Sequence, residues 1–332
     1  MVQAATFDMA RTDNTSLSYW GQGGQGEPDL IDICHKQTYD TVILAFITTY
    51  AGSPGSLTYS FGNDCSQAEI DGCAKLGEAI QTCQKNGKLV TVSVGGADSS
   101  ISLSSDEVAE KFGETVYNLF LGGKDQSRPF GDGVVLDGID LDIEGGSTEH
   151  FPAFVNHMWE YAKEQGDTKK YYLTGAPQCP FPDHVLNQAH FDAVYVQFYN
   201  NEEWPCGLLV DDPQYGWKTF NFDTWNTWAL NTSLNYDVKI YIGAPASAQA
   251  GNYYADAHTL AKVIDAAQKN YSSYGGVMMW DAAAAQVVGW GWRIGTTFFS
   301  HLQRLQNSHV RLAFFQFYGD KYGDGHEHRH GR

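Results

Sequence analysis

The sequence has few basic residues and no long apolar run, and each absence excludes a class of protein. Its 21 Lys and Arg residues are outnumbered by 39 Asp and Glu residues, which gives a formal net charge of −18. Such an acidic surface repels nucleic-acid phosphates and anionic lipids, so we expect a neutral or cationic partner. No stretch of about 18 uninterrupted apolar residues is present, so we expect no membrane-spanning helix.

Motifs for metals and nucleotides are also missing. The 6 cysteines include no Cys-x-x-Cys pair, which argues against a tetrahedral zinc site. No Gly-x-Gly-x-x-Gly turn follows the first predicted strand, so a dinucleotide site has no support. We therefore expect neither a metal nor a cofactor.

The cysteines and the first residues bear on the cellular compartment. An even number of cysteines fits three disulfides formed in an oxidising compartment, and buried free thiols are the alternative. Residues 1–6 (MVQAAT) have no basic start followed by an apolar stretch, so no signal peptide is visible. We expect a mature secreted chain that begins with an added Met1.

Short apolar, β-branched runs alternate with helical stretches along the 332 residues. Eight runs are predicted as strands: Leu17–Trp20, Thr41–Ile47, Leu89–Val94, Leu136–Ile143, Tyr171–Thr174, Ala193–Tyr199, Lys239–Gly243 and Gly276–Trp280. Predicted helices between them include Gln67–Lys85, Asp106–Leu121, Phe151–Glu164 and Asp256–Tyr271. This alternation fits a single (β/α)₈ TIM barrel better than an open doubly wound sheet.

The fourth predicted strand carries a row of acids. Period-two alternation places Asp140, Asp142 and Glu144 on one face, opposite three Ile and Leu side chains. Active-site residues of such barrels lie at the C-terminal ends of strands, and crowded, desolvated carboxyls hold protons more tightly. Glu144, the last of the three, is therefore predicted to be a general acid. A solvated edge strand is the alternative, but a closed barrel has no edge.

The sixth predicted strand adds polar side chains on the same side of the sheet. Tyr195, Gln197 and Tyr199 alternate with apolar residues, so we predict that these three side chains point into the barrel. For each tyrosine, a core position with a satisfied hydroxyl is the alternative.

The pattern Asp-x-x-Asp-x-Asp-x-Glu at residues 137–144 resembles the signature of family 18 of the glycoside hydrolases. From about Ser18 to Trp280 the chain is similar to the plant and fungal class III chitinases of the hevamine type. Five further motifs carry this resemblance: Tyr19–Gln22 (YWGQ), Ser93–Gly96 (SVGG), Ala176–Asp183 (APQCPFPD), Gln197–Asn200 (QFYN) and Gly275–Trp280 (GGVMMW).

The resemblance implies endo-hydrolysis of the β-1,4 bonds of chitin or chitooligosaccharides, with retention of configuration. In this family the N-acetyl group of the substrate attacks the anomeric carbon and forms an oxazolinium ion. Glu144 would then act as general acid and base. Asp142 would orient the acetamide, with Asp140 sharing its proton, and Tyr199 would donate a hydrogen bond to the acetamide carbonyl.

The resemblance also implies a set of sugar contacts and three disulfides. The expected contacts are Tyr19, Gln22, Gly95, Gly96, Gln197, Asn200 and Trp280, the last as an apolar floor under the sugar. For the two glycines a tight turn is the alternative. The implied disulfides are Cys34–Cys83, Cys65–Cys73 and Cys179–Cys206, whereas the sequence alone leaves all pairings open.

The spacing of the last strands predicts a barrel without the inserted α+β domain that deepens the cleft in many bacterial relatives. Gly243 and Gly275 are separated by 31 residues, which is enough for a loop and a helix. We therefore expect an open groove, internal cleavage of the polymer and a monomer. Residues 1–306 are assigned to the barrel, and residues 307–332 to a disordered or loosely docked tail.

Two other functions remain open at this point. An endo-β-N-acetylglucosaminidase acting on N-glycans would use the same acids. An inactive carbohydrate-binding barrel is the second alternative, although such relatives typically lose the final acid, which is present here as Glu144.

Overall fold

The strand β1, Thr15–Trp20, is hydrogen-bonded to two other strands, and this double pairing closes the sheet. Leu17 is aligned in parallel with Thr41 of the second strand and with Met278 of the last strand. A sheet whose first and last strands pair is a barrel. This computed structural model describes residues 9, 15–36, 38–53, 56–63, 65–66, 70–124, 127–181, 185–201 and 206–287.

Seven further strands continue the barrel in chain order. They are β2 Thr41–Tyr50, β3 Leu89–Gly95, β4 Gly138–Asp142, β5 Tyr172–Gly175, β6 Ala193–Gln197, β7 Lys239–Pro245 and β8 Tyr274–Trp280. Each pairs in parallel with the strands before and after it in this series. All eight predicted strands are present, with ends that differ by up to three residues from the prediction. The predicted single (β/α)₈ TIM barrel is therefore confirmed.

Helices lie in the connections between strands and after β8. They are α1 Leu30–His35, α2 Ile70–Lys85, α3 Asp106–Phe120, α4 Phe151–Glu164, α5 Phe222–Asn231, α6 Ala257–Asn270 and α7 Ala282–Val287. α4 agrees with the prediction at both ends. α6 begins one residue later than predicted because Asp256 caps it, accepting a hydrogen bond from the backbone N–H of Thr259 at 2.8 Å. The first three residues of the predicted helix Gln67–Lys85 lie outside the described residues.

Alternate side chains of each strand enter two different cores. On β3, Val90, Val92 and Val94 pack outward against the helices, whereas Leu89 belongs to the barrel interior. The interior core is filled by large side chains from most strands, including Tyr19, Ile43, Tyr172, Tyr195, Tyr241 and Met278. The polar residues described below occupy inward positions above this apolar layer, toward the C-terminal ends of the strands.

β4 and β6 are shorter than predicted. β4 ends at Asp142 rather than Ile143, so Glu144 lies two residues beyond the strand, and this residue is exposed. The pairing with β5 extends only to Leu141, and Gly146, with φ +78°, lets the chain turn away from the sheet. β6 ends at Gln197 rather than Tyr199. Period-two alternation therefore applies to Asp140 and Asp142, which lie within β4, whereas Glu144 reaches the same end of the barrel from the segment that follows the strand.

Three disulfides join elements around the barrel. Cys34–Cys83 connects α1 to α2, and Cys65–Cys73 connects a short strand, Cys65–Ser66, to α2. Cys179–Cys206 connects the segments that follow β5 and β6. These are the three pairs that the family resemblance implies.

The connection between β7 and β8 contains α6 and no inserted domain. Within the described part of the chain, no helix is both long and apolar enough to cross a membrane. The assigned tail, residues 307–332, lies outside the described residues, as does the boundary at residue 306.

Candidate active site

Asp140 lies at the centre of a buried cluster of hydroxyl groups. Its side chain is fully buried on β4 and accepts hydrogen bonds at 2.7 Å from Tyr19 Oη, Ser93 Oγ and Thr174 Oγ1. Burial raises the pKa of Asp140 above its ordinary value, and the three hydroxyl donors counteract that rise because they favour the carboxylate. Strands β1, β3 and β5 each supply one donor, so the cluster depends on the closed barrel.

Asp142 lies two residues further along β4, closer to the mouth of the barrel. Its surroundings are less favourable for a negative charge than those of Asp140. It is almost fully buried, and the one side-chain hydrogen bond described for it comes from Gln197 Nε2 to Oδ1 at 2.8 Å. Burial holds the pKa of Asp142 well above its usual range, and the charges of Glu144 and Asp140 raise it further. Of the two buried acids, Asp142 therefore retains a proton more readily than Asp140.

Glu144 lies at the rim, where solvent reaches it. Partial burial raises the pKa of its carboxyl, and the charge of Asp98 adds to that effect. Gln178 Nε2 approaches Glu144 Oε2 to 3.4 Å. A carboxyl that is accessible and has a raised pKa meets two requirements for a general acid.

Tyr195 and Tyr199 are only four residues apart, but they lie at different depths in the barrel. Tyr195 belongs to β6, and Tyr199 follows it. Tyr199 is buried near the mouth, where burial and the charges of Asp142 and Glu144 hold the pKa of its phenol well above the usual range. Its hydroxyl is therefore a neutral donor. Tyr195 lies deeper, with its ring edge-on to Tyr241 and its hydroxyl 3.9 Å from Met9 Sδ. Tyr195 is thus a core residue, which was the alternative considered for each tyrosine.

Aromatic rings line the mouth beside these acids. Trp280, at the end of β8, is partly exposed and packs on the interior core. Its ring centroid lies 5.3 Å from that of Tyr19 and 5.9 Å from that of Phe46, the latter with an interplanar angle of 22°. These contacts fix the orientation of the Trp280 ring, as the predicted sugar floor requires. Phe46 carries no signal of its own in the sequence, because it lies within the apolar run Val42–Ile47 of β2.

Two predicted sugar contacts on β1 and the segment that follows it have other partners. Tyr19 is 1% exposed and its hydroxyl donates to Asp140, so it serves the acid cluster, and its sugar contact stays a prediction. Gln22 is exposed, but its Nε2 donates to the backbone carbonyls of Ala45 at 2.8 Å and Gly21 at 2.9 Å. Gln22 therefore links the segment after β1 to the middle of β2, and its sugar contact stays a prediction.

The two glycines at the end of β3, Gly95 and Gly96, lie close to other protein atoms. A Cβ at Gly95 would lie 2.0 Å from the carbonyl oxygen of Asp142, and one at Gly96 would lie 2.9 Å from the Phe46 ring. Both have positive φ, +123° and +86°, and Gly96 N donates to Asp142 O at 2.8 Å. These glycines permit a close approach to β4 and to Phe46, and their contact with a ligand stays a prediction.

Asn200 also has a structural contact. Its backbone φ is +58°, and its Oδ1 accepts a hydrogen bond from the backbone N–H of Asn252 at 2.7 Å. This bond connects the segment after β6 to the segment after β7. Asn200 is exposed, and its side-chain oxygen already accepts this hydrogen bond. The sugar contact of Asn200 stays a prediction.

Gln178 is a site residue that the sequence reasoning missed. It follows β5 and forms an isolated parallel bridge with Gln197, and its Nε2 lies 3.2 Å from Gln197 Oε1. Gln178 lies outside any strand with regular alternation, so periodicity assigns it to no face. Its place in the motif APQCPFPD was the available signal.

The arrangement supplies a rim acid, a buried acid with a raised pKa and a neutral phenol at one end of the barrel. The three acids lie along one chain segment and do not face each other across a cleft. Among the described residues, no group of three or more His, Cys, Asp or Glu side chains is arranged to hold a metal ion. The site is therefore suited to proton transfer and to orienting a polar, uncharged ligand.

Comparisons with known proteins agree with the resemblance seen in the sequence. The family described as glycosyl hydrolases family 18 matches residues 16–259. Chitinase 2 of Rhizopus oligosporus is 39% identical over 282 residues, which cover 81% of this chain and 49% of that protein. The chain thus spans about half the length of the fungal chitinases that it matches.

Two solved plant structures have the same fold. A chitinase from Ipomoea carnea is 33% identical, with a TM-score of 0.70, and the match covers 82% of this chain and 96% of that one. A xylanase and α-amylase inhibitor protein from Scadoxus multiflorus is 27% identical, with a TM-score of 0.71, and the match covers 84% and 97%.

Proposed function

The chain belongs to family 18 of the glycosyl hydrolases, and on that premise we propose that it is an endochitinase. It hydrolyses β-1,4 bonds between N-acetylglucosamine units with retention of configuration. The observation that carries the proposal is the position of Glu144, a rim carboxyl with a raised pKa, next to buried Asp142 and the neutral phenol of Tyr199.

In the first step Glu144 gives its proton to the glycosidic oxygen. As the bond between that oxygen and the anomeric carbon breaks, the carbonyl oxygen of the substrate's own acetamide bonds to the carbon and forms an oxazolinium ion. The position of the acids supports this route, because Asp140, Asp142 and Glu144 lie along one segment. A retaining enzyme with a carboxylate nucleophile needs two carboxyl groups on opposite sides of the bond.

In the second step the Glu144 carboxylate takes a proton from water, and the water oxygen attacks the anomeric carbon. The bond between that carbon and the acetamide oxygen breaks, which restores the N-acetyl group. Two inversions at one carbon give net retention. Glu144 ends protonated and ready for another cycle.

Asp142 and Tyr199 orient the acetamide during both steps. Asp142 accepts the hydrogen bond of the acetamide N–H and stabilises the positive charge of the ion, while it shares a proton with Asp140. The Tyr199 hydroxyl donates to the acetamide carbonyl oxygen, and a neutral preorganised donor of this kind is worth about 10²–10³ in rate. Gln197 keeps Asp142 in place through the bond at 2.8 Å.

The floor and the walls of the site suit a polymer that enters from the side. Trp280 offers an apolar ring face to the C–H groups of a sugar. The connection between β7 and β8 contains only α6, so no additional domain encloses the groove on that side. An open groove favours internal cleavage, and the substrate is chitin or its oligosaccharides. The three disulfides support secretion, and we expect a monomer that acts outside the cell.

A binding barrel without activity is the second candidate, because a structure similar to this chain is described as an inhibitor of xylanase and α-amylase. The presence of Asp140, Asp142, Glu144 and Tyr199 in one site favours the enzyme. An endo-β-N-acetylglucosaminidase would use the same acids on N-glycans, so substrate tests must separate the two.

The proposal is tested by incubating the protein with N-acetylated chitooligomers, with fully deacetylated oligomers and with a high-mannose glycoprotein. We expect cleavage of the first substrate alone, with several oligomer lengths among the early products. Deacetylated chains are cationic and suit the acidic protein, but they lack the internal nucleophile. Their efficient cleavage would refute substrate assistance, release of the glycan would support the glucosaminidase, and binding without hydrolysis would support the inactive barrel.

A further inference from the structure

Three side-chain amides form a hydrogen-bonded chain that ends at the two catalytic acids. Asn201 Nδ2 donates to Gln178 Oε1 at 2.7 Å, and Gln178 Nε2 donates to Gln197 Oε1 at 3.2 Å. Gln197 Nε2 then donates to Asp142 Oδ1 at 2.8 Å, and Gln178 Nε2 also lies 3.4 Å from Glu144 Oε2. We call Asn201, Gln178 and Gln197 the amide chain.

Backbone carbonyls fix the direction of the amide chain at both ends. Asn201 Nδ2 also donates to the carbonyl oxygen of Tyr199 at 2.5 Å, and Gln197 Nε2 donates to that of Ala176 at 2.9 Å. A carbonyl oxygen can only accept a hydrogen bond, so the nitrogen of each terminal amide must face it. Gln178, between them, must then receive Asn201 at its oxygen and turn its nitrogen toward Gln197 and Glu144.

This fixed direction has consequences for the protons of both acids. Because Asp142 Oδ1 accepts from Gln197, a proton on Asp142 must be carried by Oδ2. Glu144 Oε2 meets an N–H donor, which favours its carboxylate form and opposes the pKa rise caused by burial and Asp98. With the opposite amide orientation, oxygen atoms would face both acids.

Resting on the proposed function, we propose that Gln178 is a positioning residue whose amide sets the proton positions of Asp142 and Glu144. It acts through Gln197 on the buried acid and directly on the rim acid, and it needs no contact with substrate. Asn201 is its anchor. Neither residue belongs to the acid pattern at residues 137–144, and both follow strands, at the carboxyl ends of β5 and β6.

The test compares Gln178→Leu with Gln84→Leu in the full chain. Gln84 is a matched control, because its Nε2 also donates to an aspartate, Asp137 Oδ2 at 3.0 Å, and to a backbone carbonyl, Val135 O at 2.8 Å, but at the opposite end of the barrel. We expect Gln178→Leu to lower kcat about 10-fold with KM changed less than 2-fold, which is smaller than the roughly 10²–10⁴-fold loss of a general acid because Glu144 is still present. The alkaline limb of the kcat profile moves to higher pH, since Glu144 loses a donor. Gln84→Leu leaves that limb in place.

Asn201→Asp provides a second variant that keeps Gln178. Aspartate offers no N–H to the backbone carbonyls or to Gln178 Oε1, so the donor that fixes the orientation of the Gln178 amide is removed. We therefore expect the alkaline limb of the kcat profile to move to higher pH, as in Gln178→Leu. In the double variant the effects should not add, because both changes act through one amide. Carbon-13 NMR titration of the Glu144 carboxyl, assigned with Glu144→Gln, gives its pKa without turnover.

The results separate this inference from the proposed function. Absence of chitooligomer hydrolysis by the wild-type protein would refute the function, whereas the NMR pKa would still report on Gln178. An active wild type in which Gln178→Leu and Asn201→Asp leave kcat, the alkaline limb and the Glu144 pKa unchanged would overturn the inference. Gln178→Glu, which preserves the volume, replaces the leucine variant if the latter does not fold.

Discussion

Thr174 Oγ1 donates a hydrogen bond to Asp140 Oδ1 at 2.7 Å and so serves the one oxygen of Asp140 that Tyr19 and Ser93 leave free. With both oxygens accepting, Asp140 is stabilised as a carboxylate despite complete burial. The proton that the crowded pair retains is thereby directed to Asp142. The inward hydroxyls of three strands thus determine which of the two acids holds a proton more readily.

Replacing Thr174 with valine tests this assignment. The change keeps the shape of the side chain but removes one donor, so the pKa of Asp140 rises and Asp142 loses part of its hold on the shared proton. We expect kcat to fall about 10-fold and stability to fall by about 1–3 kcal/mol, the cost of a lost partner for a buried polar group. Steady-state kinetics and denaturant unfolding measure the two effects.

Thr91→Val is the matched control for that variant. Thr91 is also fully buried on an inward position of β3, and its hydroxyl has no partner among the described residues. Removing a hydroxyl that makes no hydrogen bond should leave kcat unchanged. The free energy of unfolding should stay the same or rise slightly, because an unpaired buried polar group is removed. Equal loss of kcat in both variants would contradict a specific role for the Thr174 donor.

Glu144→Gln should abolish turnover while leaving binding intact. Glutamine preserves the shape of the side chain but cannot deliver a proton, so we expect kcat to fall at least 10²-fold, the usual size of a lost general acid. Calorimetric titration with an N-acetylated chitooligomer should give a Kd within about 3-fold of the wild type. Glu149→Gln, an exposed carboxylate five residues further on, serves as the control and retains activity. Retained turnover in Glu144→Gln would exclude Glu144 as the acid.

Asp98→Asn should shift the pH profile. The negative charge of Asp98 raises the pKa of Glu144, so its removal lowers that pKa and Glu144 loses its proton at lower pH. The alkaline limb of kcat/KM should therefore move to lower pH, opposite to the shift expected for Gln178→Leu. The difference between Asp98→Asn and wild type should shrink at high salt, because exposed charges are screened. Asp237→Asn, an exposed change two residues before β7, should not move the limb.

Much of the barrel and of its acid row could be predicted from alternation. Apolar residues on one face and acids on the other correctly assigned Asp140 and Asp142 to the interior, because both lie within β4. The rule does not extend past the strand, so the position of Glu144 and the role of Gln178 depend on loops. Burial of Tyr19 and the close approach at Gly95 arise from contacts between strands, which the sequence of one strand cannot specify.

Glu27 is a half-buried carboxyl that supports the segment after β1. Its Oε2 accepts from the backbone N–H of Gly21 at 3.1 Å and of Gly23 at 2.6 Å, while its Oε1 is buried without a hydrogen-bond partner among the described residues. Burial raises the pKa of Glu27 to about 7, with a further contribution from the charge of Asp281, and the two N–H donors oppose the rise. Glu27 is therefore largely protonated in the folded protein below that pH.

Glu27→Gln should make stability less dependent on pH. A raised pKa in the folded state means that the folded protein binds the proton more tightly, so the contribution of Glu27 is fully present below its unfolded pKa and is lost as pH rises to about 7. Glutamine mimics the protonated acid at every pH. We expect the variant to gain about 2–4 °C in Tm over wild type at pH 8 but not at pH 4.5. Glu78→Gln, an exposed change on α2, should show no such pH-dependent gain, and an equal gain at both pH values for Glu27→Gln would refute the titration of Glu27.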